Sequence, residues 1–73
     1  MESAEKSDIR LIVARKMLWE KDLWLQQARV AFVIRALQLL ADNESEDAKD
    51  RAEAKMLIGK LYAASKEPKK RPA

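Results

Sequence analysis

The chain has 73 residues and a formal net charge of +3, and it contains neither Cys nor His. This length is enough for one small domain. Without Cys and His, disulfides, the usual zinc sites and imidazole acid–base catalysis are excluded, so we expect no enzyme, no metal and no cofactor. Ala, Leu, Lys, Glu and Arg make up more than half of the chain, beside one Gly and two Pro. This composition predicts an all-α fold.

The first helix is predicted over about residues 3–20. Ser3 or Ser7 can cap it, because a hydroxyl there accepts a free backbone N–H of the first turn. A dense apolar run from Ile9 to Trp19 follows. At about 100° per residue, one arc of this helix has the spacing of a packing seam and is predicted to face inward. It consists of Ala4, Ser7, Leu11, Ala14 and Leu18, bordered by Arg10 and Arg15.

The second helix is predicted over about residues 22–41, after a tight turn at Glu20, Lys21 and Asp22. Asp22 is a good cap for a helix that begins at Leu23. One uninterrupted helix over residues 9–41 is the alternative, because no Gly or Pro interrupts that segment. This helix has two apolar seams, as expected for a helix that packs against two neighbouring helices. The first is purely apolar (Leu25, Ala28, Phe32, Ala36, Leu39), and the second is interrupted only by Gln26 (Leu23, Val30, Val33, Leu37, Leu40).

The third helix is predicted over about residues 44–66, with a capping box formed by Asn43 and Glu46. Pro68 ends it, and Lys60 and Lys66 complement its dipole. Its inward residues are Ala54, Leu57, Ile58, Leu61 and Ala64, and its outward residues are Lys49, Glu53 and Lys60. Gly59 is costly within a helix, so we expect a neighbouring helix to approach it closely. The prediction is a compact three-helix bundle with up-down-up topology over residues 3–66.

The positive charge lies at the C-terminal end, and residues 67–73 are predicted to form a flexible, disordered basic tail. The rest of the chain is close to neutral, which argues against specific nucleic-acid binding. Acidic and polar residues at positions 2–8 provide no secretion signal, and no apolar run reaches the length of about 18 residues needed for a membrane span. We therefore expect a soluble protein, either cytoplasmic or recombinant.

The first two helices have more apolar surface than one bundle core can bury. Exposed apolar area on a small protein is typical of a contact site for another chain. We expect a short turn to bring two residual stripes side by side as a patch with apolar centres and a polar rim. These predicted partner-binding residues are Ile9, Ile12, Val13, Lys16 and Met17 on the first helix and Trp24, Gln27, Ala31, Arg35 and Gln38 on the second. Trp24 either anchors in a partner's pocket or, with Trp19, caps the open end of the bundle.

Three resemblances bear on these residues. The absence of Cys and His, helices of near-equal length, the Lys21–Asp22 and Asp42–Asn43 turns and the apolar outer faces resemble computationally designed three-helix miniprotein binders. That resemblance implies a rigid scaffold that presents its first two helices to a target. The third helix (Ala52, Ala54, Ile58, Gly59, Tyr62), with Ala28 and Phe32, resembles a tetratricopeptide-like hairpin. The run of Val33, Leu37, Leu40, Ala41 and Asp42 resembles the helical ligand motif of pro-apoptotic regulators.

These features predict a non-enzymatic protein-binding module that presents its first two helices to another protein of unknown identity. The alternative is a self-associating helical oligomer, a structural homodimer that covers the same surface with a second copy of the chain. A tetratricopeptide-like adaptor fragment and a polyanion or membrane-surface binder that acts through the basic tail are further alternatives. The carboxylates Asp42, Glu44, Glu46, Asp47 and Asp50 are interpreted as ordinary helix-dipole partners.

Overall fold

The computed structural model describes residues 8–66, which form three α-helices joined by short connections. The helices are α1 (Ile9–Met17), α2 (Gln27–Asp42) and α3 (Ala48–Ala64), and a short 3-10 turn (Leu23–Leu25) precedes α2. Residues 8–66 contain no β-strand. The predicted all-α bundle of three helices is therefore confirmed. The predicted basic tail, the cap at Ser3 or Ser7 and the inward position of Ala4 lie outside the described residues.

Asp8 is the cap of α1. Its Oδ1 accepts a hydrogen bond from the backbone N–H of Arg10 at 2.9 Å, while the Arg10 guanidinium donates to Oδ2 at 2.7 Å. These side-chain and backbone hydrogen bonds hold the pKa of Asp8 below its ordinary value, although partial burial opposes the shift. A carboxylate at this position also complements the positive end of the helix dipole. The predicted cap was a serine, but Asp8, one residue beyond Ser7, occupies the cap position.

The connection between α1 and α2 confirms the predicted turn and shows that the uninterrupted helix is wrong. The α1 helix ends at Met17, where Trp19 N–H donates to the Lys16 carbonyl and Glu20 N–H donates to the Met17 carbonyl. The chain then passes through the 3-10 turn, and α2 begins later than predicted, at Gln27. Asp22 precedes the 3-10 turn, but its side chain makes no capping hydrogen bond.

The connection between α2 and α3 is held by a local turn rather than by the predicted capping box. The side-chain oxygen of Asn43 accepts a hydrogen bond from Ser45 N–H at 2.9 Å, so it is directed to the loop. The α3 helix begins at Ala48, where Asp47 occupies the cap position without a side-chain hydrogen bond to the backbone. The predicted start near residue 44 is therefore about one turn too early.

Side-chain contacts between the helices establish their relative directions. Arg10 pairs with Glu46 at 3.5 Å, and one turn later Arg15 pairs with Glu53 at 2.6 Å, so α1 and α3 run in the same direction. At the opposite end, the side-chain amide of Gln27 donates to the carbonyl of Ser65, which joins the start of α2 to the end of α3. The α2 helix is thus antiparallel to both neighbours, in an up-down-up order.

The core contains side chains from all three helices and from the 3-10 turn. In α2 the buried side chains belong to the interrupted seam, together with Ile34 and Ala41, which the seam assignment had omitted. The buried residues are Leu11, Ala14, Met17, Leu23, Val30, Val33, Ile34, Leu37, Leu40, Ala41, Ala54, Leu57 and Leu61. Leu18 and Ile58 pack against this core from partly buried positions. Ala64 was predicted to face inward but is exposed.

The prediction was wrong about the purely apolar seam of α2. Leu25, Phe32 and Leu39 keep 64%, 74% and 65% of their surfaces exposed, and Ala28 is exposed as well. The two neighbouring helices cover the opposite face of α2, because that face carries more large aliphatic side chains. Burying it removes more apolar surface from water.

Gly59 has a different environment from the predicted one. A Cβ atom built at this position would meet nothing within 4 Å, and the residue is exposed on α3. No neighbouring helix among residues 8–66 approaches it, so close packing does not account for this glycine.

Candidate protein-binding surface

The predicted contact residues of α1 divide between surface and core. Ile9 and Val13 are 69% and 42% exposed, Lys16 is exposed, and Ile12 is partly buried. Met17, in contrast, is only 1% exposed and belongs to the core. Its long, unbranched side chain fills space between the helices rather than facing solvent. Met17 is therefore not available to a partner, and the α1 surface is reduced to the other four residues.

The predicted contact residues of α2 mostly line a groove that α2 shares with α3. Gln27, Ala31, Arg35 and Gln38 lie along one wall, and Tyr62 and Ser65 of α3 lie opposite. The groove has a volume of about 550 Å³. No residue of α1 lines it, so this groove is not the expected patch made from stripes of α1 and α2 side by side, and that patch stays a prediction. The α3 helix packs along this side of α2 instead.

The polar side chains that line this groove differ in their hydrogen bonds and ion pairs. The side-chain amide nitrogen of Gln27 donates to the carbonyls of Trp24 and Ser65, so its two N–H groups already have partners within the fold. Arg35 forms no ion pair within residues 8–66. Tyr62 is 54% exposed beside it. The groove thus has one exposed cation, Arg35, and two exposed aromatic rings, Tyr62 and Phe32, in its lining.

A second surface lies beside this groove on the outward side of α2. We call it the outer stripe, and it consists of Ala28, Phe32, the partly buried Ala36 and Leu39 on α2, together with Leu25 in the 3-10 turn that precedes α2. Its three large side chains are each about two thirds exposed or more, and only alanines lie between them in the row. Ala28 and Phe32 also line the groove, so the two surfaces are continuous. The outer stripe is absent from the predicted contact residues because its uninterrupted apolar pattern was interpreted as core.

One ion pair stands beside the outer stripe. The guanidinium of Arg29 donates through Nη1 to Oε1 of Glu20 at 2.8 Å and through Nη2 to Oε2 at 3.0 Å. The Arg29 hydrogen bond is the main reason that the pKa of Glu20 is lowered, and the same contact raises the pKa of Arg29. The cation next to the stripe is therefore already matched by a carboxylate of the same chain.

Two further exposed apolar side chains, Trp19 and Met56, belong to different parts of the chain. Trp19, in the turn after α1, is 84% exposed, and Met56, on α3, is 49% exposed. Trp24 is partly buried, so the two tryptophans flanking the turn have different environments. Single exposed apolar residues are common on soluble proteins. The row on α2 is the feature that calls for an explanation.

The motif that resembles a pro-apoptotic ligand is not presented to solvent. Val33, Leu37, Leu40 and Ala41 all lie in the core. A helix that binds in a partner's groove must present these anchors outward. In this fold the motif could act only if α2 left the bundle.

Residues 8–66 contain neither a candidate metal site nor a helix that could span a membrane. Among residues 8–66, no group of three or more His, Cys, Asp or Glu side chains is arranged to hold a metal ion. None of the helices in this part of the chain combines the length and the apolar character needed to cross a bilayer.

The chain matches no protein-family model, no curated protein and no solved structure. The resemblances to designed three-helix binders and to tetratricopeptide-like hairpins therefore stay predictions.

Proposed function

We propose that this chain is a non-enzymatic protein-binding module whose contact surface is the outward side of α2. The observation that carries the proposal is the exposure of Phe32 and Leu39 on the outward side of α2 and of Leu25 in the 3-10 turn that precedes it. Each of these side chains would lose most of its contact with water if another protein covered the row. Burial of apolar surface is the dominant favourable term in most protein association.

The surroundings of the row support the same function. Interfaces commonly combine an apolar centre with a polar rim, and aromatic and Arg side chains are enriched among the residues that contribute most affinity. Phe32 lies at the middle of the row, while Arg35 and Gln38 line the adjoining groove. We therefore place the contact on α2, with the α2–α3 groove as its border, and not on α1 and α2 together.

The proposal can be tested by selecting helical peptides from a displayed library against the protein immobilised at low density. We expect the selected peptides to compete with one another for one surface, and Phe32→Glu to weaken their binding at least about tenfold. Met56→Glu is the matched control, since it places the same charge on an exposed apolar position of α3. Circular dichroism of both variants checks that the helices persist.

Peptides that bind Phe32→Glu as well as the unmodified chain would contradict the proposal. So would peptides whose binding depends on Met56 instead, because the preferred surface would then lie on α3.

A further inference from the structure

We infer that the groove between α2 and α3 binds an acidic amphipathic helix of another protein, with a carboxylate of that helix paired to Arg35. This inference rests on the proposed function and names the chemistry of the partner. It concerns the groove that borders the outer stripe and the cation that lines it.

The groove lies on a side of the α2–α3 pair that α1 does not cover. Its lining comes from α2, from α3 and from Ser65 directly after α3, and none of it comes from α1. The lining includes the buried side chains of Val30 and Ile34 and the exposed ones of Ala31 and Phe32. A further helix along the groove would therefore pack against α2 and α3 together, as neighbouring helices of a four-helix bundle do.

The groove suits a helix better than an extended segment. An extended segment leaves backbone N–H and C=O groups that need partners, and residues 8–66 contain no strand whose edge could supply them. A helix satisfies its own backbone groups, so only its side chains must fit. Gln27 and Gln38 line the groove about 16 Å apart along α2, which is the length of about three helical turns. The groove volume of about 550 Å³ has room for a few side chains of such a helix.

The groove lining contains one cation, Arg35, and no carboxylate. Arg35 forms no ion pair and no side-chain hydrogen bond within residues 8–66. Every other arginine of this segment donates to an oxygen of the fold, namely Arg10, Arg15 and Arg29 to carboxylates and Arg51 to the carbonyl of Ala41. A guanidinium is a planar fork that matches the two oxygens of a carboxylate. A carboxylate from another protein would supply the counterpart that Arg35 lacks within residues 8–66.

The polar groups near Arg35 favour the same kind of partner. Neither the Gln38 side chain nor the Tyr62 hydroxyl makes a hydrogen bond within residues 8–66, so both have donors to offer. Lys55 stands two helical turns before Tyr62, on the same side of α3. Asp42 is the only carboxylate of α2, and it lies outside the groove lining, about 10 Å along the helix from Arg35.

The positions of these groups predict the pattern of the partner helix. Ala31 and Phe32 lie one turn before Arg35 on α2. The partner should therefore carry a row of apolar side chains at helical spacing, with a carboxylate within one turn of it. The N–H groups of the Gln27 side chain are bound to the carbonyls of Trp24 and Ser65, so we expect the polar contacts at the Arg35 end of the groove.

Three capped helical peptides of about 15 residues test the charge of the partner. All three carry the same row of leucines at positions i, i+4 and i+7, and the positions beside the row hold Glu, Gln or Lys. Calorimetric titration of the full chain measures their binding. We expect the Glu peptide to bind at least about tenfold more tightly than the Gln peptide, with an advantage that shrinks at high salt. Equal affinities of the three peptides would overturn the inference.

Charge reversal tests whether Arg35 is the group that selects the peptide. Arg35→Glu should weaken binding of the Glu peptide and strengthen that of the Lys peptide, each at least about tenfold, and Arg35→Gln should remove the preference without reversing it. Lys60→Glu is the matched control, because it changes the net charge equally at an exposed position of α3 outside the groove lining. Circular dichroism checks that the helices persist. Equal effects of Arg35→Glu and Lys60→Glu would show that net charge alone selects the peptide and would overturn the inference.

A bulky side chain tests whether the groove is the place of binding. Ala31→Trp obstructs the groove without changing the charge and should weaken binding of the Glu peptide at least about tenfold. Ala52→Trp makes the same change at an exposed position of α3 outside the lining and should not. Unchanged binding to Ala31→Trp would overturn the inference.

Two other occupants of the groove give distinct results. Displacement of the Glu peptide by millimolar decanoate would indicate a site for a small carboxylate. Self-association of the chain that Arg35→Glu abolishes, measured by sedimentation equilibrium, would indicate a second copy. Either result would overturn the inference of a helix from another protein.

The inference and the proposed function fail on different results. If peptides selected from the library depend on Phe32 but bind Arg35→Glu unchanged, the outer stripe is the contact surface and only the acidic helix is wrong. If the selected peptides ignore Phe32 and none of the three designed peptides binds, the proposed function is wrong as well.

Discussion

The two sides of α2 carry similar side chains, but the bundle buries only one of them. On the inner side, Leu37 and Leu40 are fully buried, whereas Leu39, which lies between them in the chain, is 65% exposed. Both rows have helical spacing, and the exposed row has the cleaner apolar pattern. Periodicity therefore identifies the apolar faces of a helix but does not determine which face packs against the neighbouring helices of the same chain. A face left over by that choice is available to another chain.

The largest expected difference between the two faces is in stability. Replacing Leu37 by Ala should lower the free energy of unfolding by about 2–5 kcal/mol, because it leaves a cavity in the core. Replacing Leu39 or Phe32 by Ala should change it by less than about 1 kcal/mol, because these positions already face water. Urea unfolding in dilute solution measures all three. A loss at Phe32 as large as that at Leu37 would show that the outer stripe is buried.

The inner face stays covered only if α1 is held in place, and Asp8 holds its start. Asp8→Ala should cost about 0.5–2 kcal/mol, because it removes the cap and the partner of Arg10. Asp8→Asn keeps a capping oxygen and should cost less. Thermal unfolding of the two variants compares them, and an equal loss would show that the charge rather than the cap is the important feature.

The lowered pKa of Asp8 makes the stability of the fold depend on pH. The pKa of Asp8 is lower in the folded chain than its ordinary value of 3.8, so the unfolded chain binds its proton first as the pH falls. Its contribution is therefore fully present above pH 3.8 and is lost as the pH falls through the folded pKa. Asp8→Asn should flatten this part of the profile in acid unfolding experiments. A profile unchanged by that substitution would assign the acid sensitivity to other carboxylates, such as Glu53, whose pKa Arg15 lowers.

Because Gly59 is exposed on α3, we expect its replacement by alanine to stabilise the fold. Gly59→Ala should raise the free energy of unfolding by about 0.5–1 kcal/mol, because alanine restricts the unfolded chain and nothing in residues 8–66 blocks the new methyl group. Chemical unfolding measures the change. A loss of stability would mean that the open space beside Gly59 is occupied, as it would be by a second chain.

The smallest expected effect concerns the ion pair that joins the outer surfaces of α1 and α3. Arg15 and Glu53 make two short hydrogen bonds, of 2.6 and 2.7 Å, but Arg15 remains 45% exposed. A double-mutant cycle with alanine at both positions should give a coupling of about 0.2–1 kcal/mol that decreases with salt. A coupling well above this range would show that α1 is fixed by charge as much as by its buried side chains.

Much of the secondary structure could be predicted because it depends on local chemistry. The charged cluster at Glu20, Lys21 and Asp22 marks the first turn, and the acidic segment after Asp42 marks the second. Helix ends were less accurate. Asp8 rather than a serine caps α1, because its carboxylate binds the backbone and Arg10 together, and Asn43 serves the loop rather than α3.

The sequence by itself determined that the chain is all-α and that its apolar surface exceeds what one small bundle can bury, and it favoured three helices over an uninterrupted helix across residues 9–41. Only the tertiary structure decided which apolar face became the core. The inner row of α2 gains Ile34 beside Val30 and Leu37, and it can be covered from two sides by α1 and α3. The outer row has alanines between its large side chains, so burying it would remove less apolar surface from water. That difference depends on how three helices share one interior, and the periodicity of a single helix does not contain it.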